Sequence, residues 1–123
     1  MDAGWIVTYD SYYSNKVKKI FASVLDEMEK YEYYTYTVGD IAFFRRYYNA
    51  DSTSSHHRKL IKKFIKNGRL EVVHGGLVSN DEATTNYADI LRNFEAGHDF
   101  LREEFGITPT IGWQLDPFGH SAV

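Results

Sequence analysis

Two rhythms of apolar positions run along the chain, one extended and one helical. Trp5-Ile6-Val7-Thr8-Tyr9 is an apolar run of the length of a short buried strand. Val17, Ile20, Phe21, Val24, Leu25 and Met28 then recur at helical spacing, a single stripe that predicts a helix to about Tyr31. Tyr34-Thr35-Tyr36-Thr37-Val38 is β-branched and aromatic, which predicts a strand closed by Gly39-Asp40. Ile41 to Tyr48 reads as helix, and Asp51 to Ser55 as a polar loop rich in N-cap residues. A basic helix follows from about His56, with Leu60, Ile61, Phe64 and Ile65 inward and Asn67-Gly68 as its stop. Leu70-Glu71-Val72-Val73 predicts a third strand ended by Gly75-Gly76. Asn86 to Phe105 predicts the longest helix, with Ile90, Leu91, Phe94, Leu101 and Phe105 on one side and Gly106 at its end. Thr110 to Leu115 predicts a fourth strand, terminated by Asp116-Pro117.

Strands alternating with helices in this order predict an α/β fold: a partial (β/α) barrel of about four parallel strands with flanking helices. A first strand without lead-in and a chain ending just after a strand predict a piece of a barrel rather than an open sheet. Strands one and four would then keep unpaired edges, and the chain alone is expected to be unstable as a monomer. In such folds chemistry gathers at the carboxyl ends of the strands. The residues predicted there are Tyr9-Asp10, Gly39-Asp40, His74-Gly75-Gly76 and Asp116 to His120. No repeat or linker divides the chain, so its 123 residues are expected to be one domain.

Composition narrows the function classes. With 43% apolar and 25% charged residues the chain is expected to fold. No apolar run reaches the length of a membrane span, and the N-terminus lacks the basic and apolar regions of a signal peptide. A net charge of −3 argues against nucleic acid as a partner. The absence of cysteine removes thiolate metal sites and thiol nucleophiles, leaving carboxylates and imidazoles for any metal. Ten Tyr, eight Phe and two Trp supply large side chains for a core and flat faces on which sugars stack.

Asp116 follows a predicted strand and precedes a proline-stiffened turn. A carboxylate so placed serves as nucleophile, general acid or metal ligand, or merely caps the turn. Asp2 stands before Gly4-Trp5, combining a hard metal ligand with an aromatic platform unless the terminus frays. In the segment from Gly75 to Glu82, Asn80 or Asp81 is also a ready helix cap. His56-His57 is expected to be solvated surface and His98 packing or surface, which leaves His74 and His120 as the imidazoles at strand ends. The lysines of the predicted helices fall on polar faces and read as solubility.

Five ordered segments resemble one family: Asp2-Ala3-Gly4-Trp5, Ile41-Ala42-Phe43-Phe44, Gly68-Arg69-Leu70-Glu71, Gly75-Gly76 with Asn80-Asp81-Glu82-Ala83, and Trp113 to Ser121. Together they resemble the N-terminal part of the catalytic domain of class II α-mannosidases, glycoside hydrolase family 38, over essentially residues 1–123. The resemblance implies a seven-stranded (β/α) barrel and zinc-dependent, retaining hydrolysis of terminal α-mannosyl residues from glycans. It implies Asp116 as catalytic nucleophile and zinc ligand, Asp2 as a second zinc ligand, and Trp5 and Phe118 as sugar-contacting aromatics. The family's first histidine ligand would fall one residue before Met1, and its last histidine ligand and acid/base aspartate beyond Val123. Leu77 and Ser79 stand where the family usually has Trp and Met, and Asp40 where it has Glu. The resemblance thus implies a segment of a larger mannosidase chain, in a lysosomal, Golgi or other secretory compartment. A non-catalytic carbohydrate-binding remnant is the alternative, and a metal-dependent polysaccharide deacetylase ranks third because His56-His57 are adjacent rather than spaced for one metal.

Overall fold

The computed structural model describes residues 3–80 and 86–114. The chain begins with α1 (Tyr9–Tyr12), a π-helical turn (Tyr13–Val17) and α2 (Lys18–Lys30), which follow one another without a break. Strand β1 (Tyr36–Val38), helices α3 (Ile41–Asn49) and α4 (Ser55–Lys66), strand β2 (Leu70–Val72) and the long α5 (Tyr87–Phe105) follow. β1 and β2 pair in parallel, Tyr36 opposite Leu70 and Val38 opposite Val72, and α3 with α4 forms the crossover between them.

Helix thus dominates, and among the described residues the only sheet is this two-stranded one. The expected partial barrel of about four parallel strands is not formed, and the expectation of an α/β barrel piece is overturned. Both missing strands have local causes. In the Trp5–Tyr9 run, Thr8 is an N-cap whose hydroxyl accepts from the Ser11 amide at 3.2 Å, and Asp10 sits in the first helical turn. Cap and dipole start a helix where apolar content alone suggested a strand. Ile6, in the run expected to be a buried strand, is 84% exposed. Between Thr110 and Gln114, Gly112 interrupts the run, and the Ile111 carbonyl accepts one amide, that of His74, at 2.7 Å. Leu115 lies outside the described residues.

The other elements match the expected pattern closely. Ser54 caps α4 by accepting from the His57 amide, Gly68 takes a left-handed turn after it, and Gly106 ends α5 in the same conformation. The core is built where the helical stripes meet: Phe21, Leu25 and Met28 of α2, Ile41, Phe44 and Tyr47 of α3, Leu60, Ile61 and Phe64 of α4, and Phe100 and Leu101 of α5. Ile20 and Leu91, predicted to face inward, are half exposed.

Two arginines close helix ends that would otherwise leave carbonyls without donors. Arg69 donates to the carbonyls of Met28 and Tyr31 at 2.6 Å each and to that of Tyr34 at 3.0 Å, tying the end of α2 to the start of β2. Arg58 donates to the carbonyls of Tyr48 and Ala50, closing α3. His57 departs from the expected solvated surface. Its side chain is mostly buried, 2.7 Å from the Tyr47 hydroxyl through Nδ1 and 2.9 Å from Asp26 through Nε2. Burial pushes the Tyr47 hydroxyl up to about 12, so it keeps its proton beside His57 Nδ1. His56 remains exposed and pairs with Glu29.

Candidate functional site

Both strands point their carboxyl ends at one loop cluster. β1 runs into Gly39 and Asp40, where α3 begins. β2 runs into Val73, His74 and the Gly75-Gly76 pair. The loop then folds over the start of α3: the Ile41 and Ala42 amides donate to the carbonyls of Gly76 and Leu77 at 3.1 and 2.8 Å. Those amides are orphan donors of a helix N-terminus, so the loop and α3 fix each other.

α5 holds the same loop from the other side. The Asn93 side-chain amide donates to the Val78 carbonyl at 2.8 Å and to Asn80 Oδ1 at 2.9 Å, and its oxygen accepts from the Val78 amide. His98 Nε2 lies 3.1 Å from the His74 carbonyl. The approach is close enough to require glycine on both partners. A Cβ on Gly97 would collide with the Gly75 carbonyl oxygen, and one on Gly75 with the His98 ring. Gly75 also has a φ of 91°, which a larger residue adopts only under strain.

Asp40, His74, Ser79, Asn80, Trp113 and Gln114 meet around this loop. Ser79 donates to Asp40 Oδ1 at 3.2 Å, and the Gln114 amide donates to the Asn80 carbonyl. A Cβ on Gly39 would lie 3.3 Å from Trp113 Cδ1, so the glycine admits the half-exposed indole. His74 has a φ of 60°, unusual for a residue with a side chain, and is held there by the Ile111 and His98 contacts. Its ring packs on Phe94 at 4.6 Å, and its buried Nε2 has no hydrogen-bond partner among the described residues. Burial pushes the imidazole below its usual range, against the opposing pull of the Asp40 carboxylate. A neutral imidazole beside a hydrogen-bonded carboxylate stiffens the loop.

Of the residues predicted for the site, Trp5 is described and stands 76% exposed, while Asp2, Asp116 and Phe118 lie outside the described residues, as does His120. Gly39-Asp40 and His74 to Gly76 do gather at strand ends, as expected. Tyr9-Asp10 does not: Tyr9 stacks on Phe43 at 4.7 Å, and Asp10 pairs with Arg46 at 2.6 Å. Sequence reasoning missed Asn93 and Gly97, although an Asn and a Gly inside a long amphipathic helix are residues that helix propensity disfavours. Among the described residues no group of three or more His, Asp or Glu side chains is placed to hold a metal ion, and no helix is long and apolar enough to cross a membrane.

Comparison with known proteins places this arrangement. The chain is 38% identical over 130 residues to an alpha-mannosidase of Canavalia ensiformis, 40% over 133 residues to a lysosomal alpha-mannosidase of Dictyostelium discoideum, and 33% over 121 residues to alpha-mannosidase 2x of Mus musculus. These matches cover 98–99% of the chain but only 10–13% of the length of the relatives. The description "Glycosyl hydrolases family 38 N-terminal domain" matches residues 1–123 throughout, and the chain belongs to that family.

Proposed function

We propose that residues 1–123 supply part of the active site of an α-mannosidase that removes terminal α-mannosyl residues from glycans, in the secretory pathway, as one segment of a longer polypeptide. The observation that carries this reading is the family match over the whole chain, joined by relatives that are named alpha-mannosidases and are eight to ten times longer. The lysosomal relative supports the compartment.

In this reading Asp116 is the nucleophile of a retaining reaction, which needs a second, acid/base carboxyl about 5–5.5 Å away. Trp5 and Phe118 are the sugar-stacking platforms, and the exposed indole of Trp5 suits that role. Zinc, when bound, would hold and polarise sugar hydroxyls. Asp2 and Asp116 offer it hard oxygen donors, but catalytic zinc takes about three protein ligands besides the open position. Among the described residues no such cluster is formed, and the family resemblance puts the further ligands elsewhere in the polypeptide. The deacetylase alternative falls with the family assignment and with His57, whose ring nitrogens are engaged by Tyr47 and Asp26. A non-catalytic carbohydrate-binding role remains the competing outcome of the experiment.

The test is a chimera in which residues 1–123 replace the matching segment of the Dictyostelium relative. Hydrolysis of an aryl α-mannoside that Asp116→Ala abolishes, with an unchanged melting temperature, is the expected result. A folded chimera that binds mannosides but never turns them over would leave the binding remnant as the correct reading.

A further inference from the structure

Beside the strand-end loop, which contributes Leu77, α1 and the π-helical turn lie against α3 and flank an open groove of about 530 Å³. Tyr9, Tyr13, Arg45, Arg46, Asn49 and Leu77 are among its lining residues. The two arginines are in different states. The Arg46 guanidinium lies over the rings of Tyr9 and Tyr13, at 4.7 and 4.2 Å, and donates to Asp10. Arg45 is exposed and forms no ion pair among the described residues. Asn49 follows Arg45 by four residues on the same helix face and is also exposed. Helix α3, from Ile41 to Asn49, contains no acidic residue, so Asp10 is the carboxylate that faces these cations.

Among the described residues, two guanidinium groups against one carboxylate leave the groove one positive charge in excess. Its free donors are the planar fork of Arg45 and the side-chain amide of Asn49, a set suited to an oxyanion rather than to a cation or an apolar ligand. The volume exceeds that of a bare ion and lies in the range of small-molecule sites, about 300–1,000 Å³. A π-helical turn in the wall is also a feature that recurs at functional sites. We propose that this groove binds a small organic anion, its phosphate or carboxylate group held by Arg45 and Asn49 with Arg46 behind them.

The groove shares no residue with the proposed catalytic set, so this inference and the mannosidase reading stand or fall separately. The test is a titration of the chain followed by amide chemical shifts, with inorganic phosphate in one arm and acetate in the other, chloride holding the ionic strength constant. Saturable shifts centred on α3 in either arm are expected, and the arm that saturates identifies the anionic group. Arg45→Gln should weaken binding tenfold or more. Asp10→Asn should tighten it severalfold, because it releases Arg46. Asn49→Ala gives the same reading as Arg45→Gln where that variant does not fold. Shifts that fail to saturate in both arms, that persist in Arg45→Gln, or that are not strengthened in Asp10→Asn would overturn the site.

Discussion

His74 concentrates several constraints in one residue: a left-handed backbone, a buried Nε2 without a partner among the described residues, and an imidazole pushed below its usual 6.5 by burial. Asp40 favours its protonation and His98 opposes it, but burial outweighs both. The sign of the pH dependence follows. Above pH 6.5 the imidazole is neutral in the folded and unfolded chain alike. Below it the unfolded chain takes up a proton that the folded chain refuses, so stability falls as the pH drops through 6.5 toward the lower folded value. Asn tolerates the left-handed conformation and carries no titrating ring. His74→Asn is therefore expected to reduce the loss of melting temperature between about pH 7 and 5. An unaltered pH profile in the variant would show that His74 titrates freely.

Among the elements, α2 and α4 are joined by two histidine–carboxylate pairs that differ in worth. His56 and Glu29 meet in solvent, with 58% and 46% of their side chains exposed, where such a pair contributes about 0–1 kcal/mol. His57 is 16% exposed and partners a hydroxyl that belongs to the core. Removing it strands the Tyr47 hydroxyl, a cost of about 1–3 kcal/mol. Chemical denaturation of His57→Ala and His56→Ala should separate them, the first clearly destabilised and the second near wild type. Equal losses would mean that the buried hydroxyl finds water or another partner. Helices α2 and α3 were legible from their apolar stripes, and α4 and α5 because cap, stripe and stop agree: Ser54 and Gly68 around α4, and Asn86 and Gly106 around α5. The Trp5–Tyr9 run was not, because four apolar residues and a threonine fit a strand and a helix start equally well until Thr8 is seen to cap.

At the scale of the whole molecule, one helical core supports a pair of parallel strands, the only one among the described residues, while Trp5, Ile6, Ile111 and Trp113 remain 48–84% exposed. The proposed catalytic set of Asp2 and Asp116 needs further zinc ligands and an acid/base group, which the family resemblance places in other parts of the polypeptide. The purified chain with added zinc should accordingly show no hydrolysis of an aryl α-mannoside. Zinc-dependent turnover that Asp116→Ala abolishes would show that the chain is sufficient by itself.

Local order decided much of this protein from sequence alone. Helical periodicity, caps and glycine stops fix most of the helices, and the ordered motifs from Asp2-Ala3-Gly4-Trp5 to the Asp116 segment carry the family, because each depends on neighbours within a few turns of chain. Tertiary structure decided what depends on distant partners. A short apolar run becomes a strand only if another strand offers its backbone, as Leu70–Val72 does for Tyr36–Val38 and no described segment does for Trp5–Tyr9. The burial of His57, the strain at His74 and the glycine contact between α5 and the Gly75 loop arise in the same way, from groups that packing brings together across 10 to 37 residues of chain.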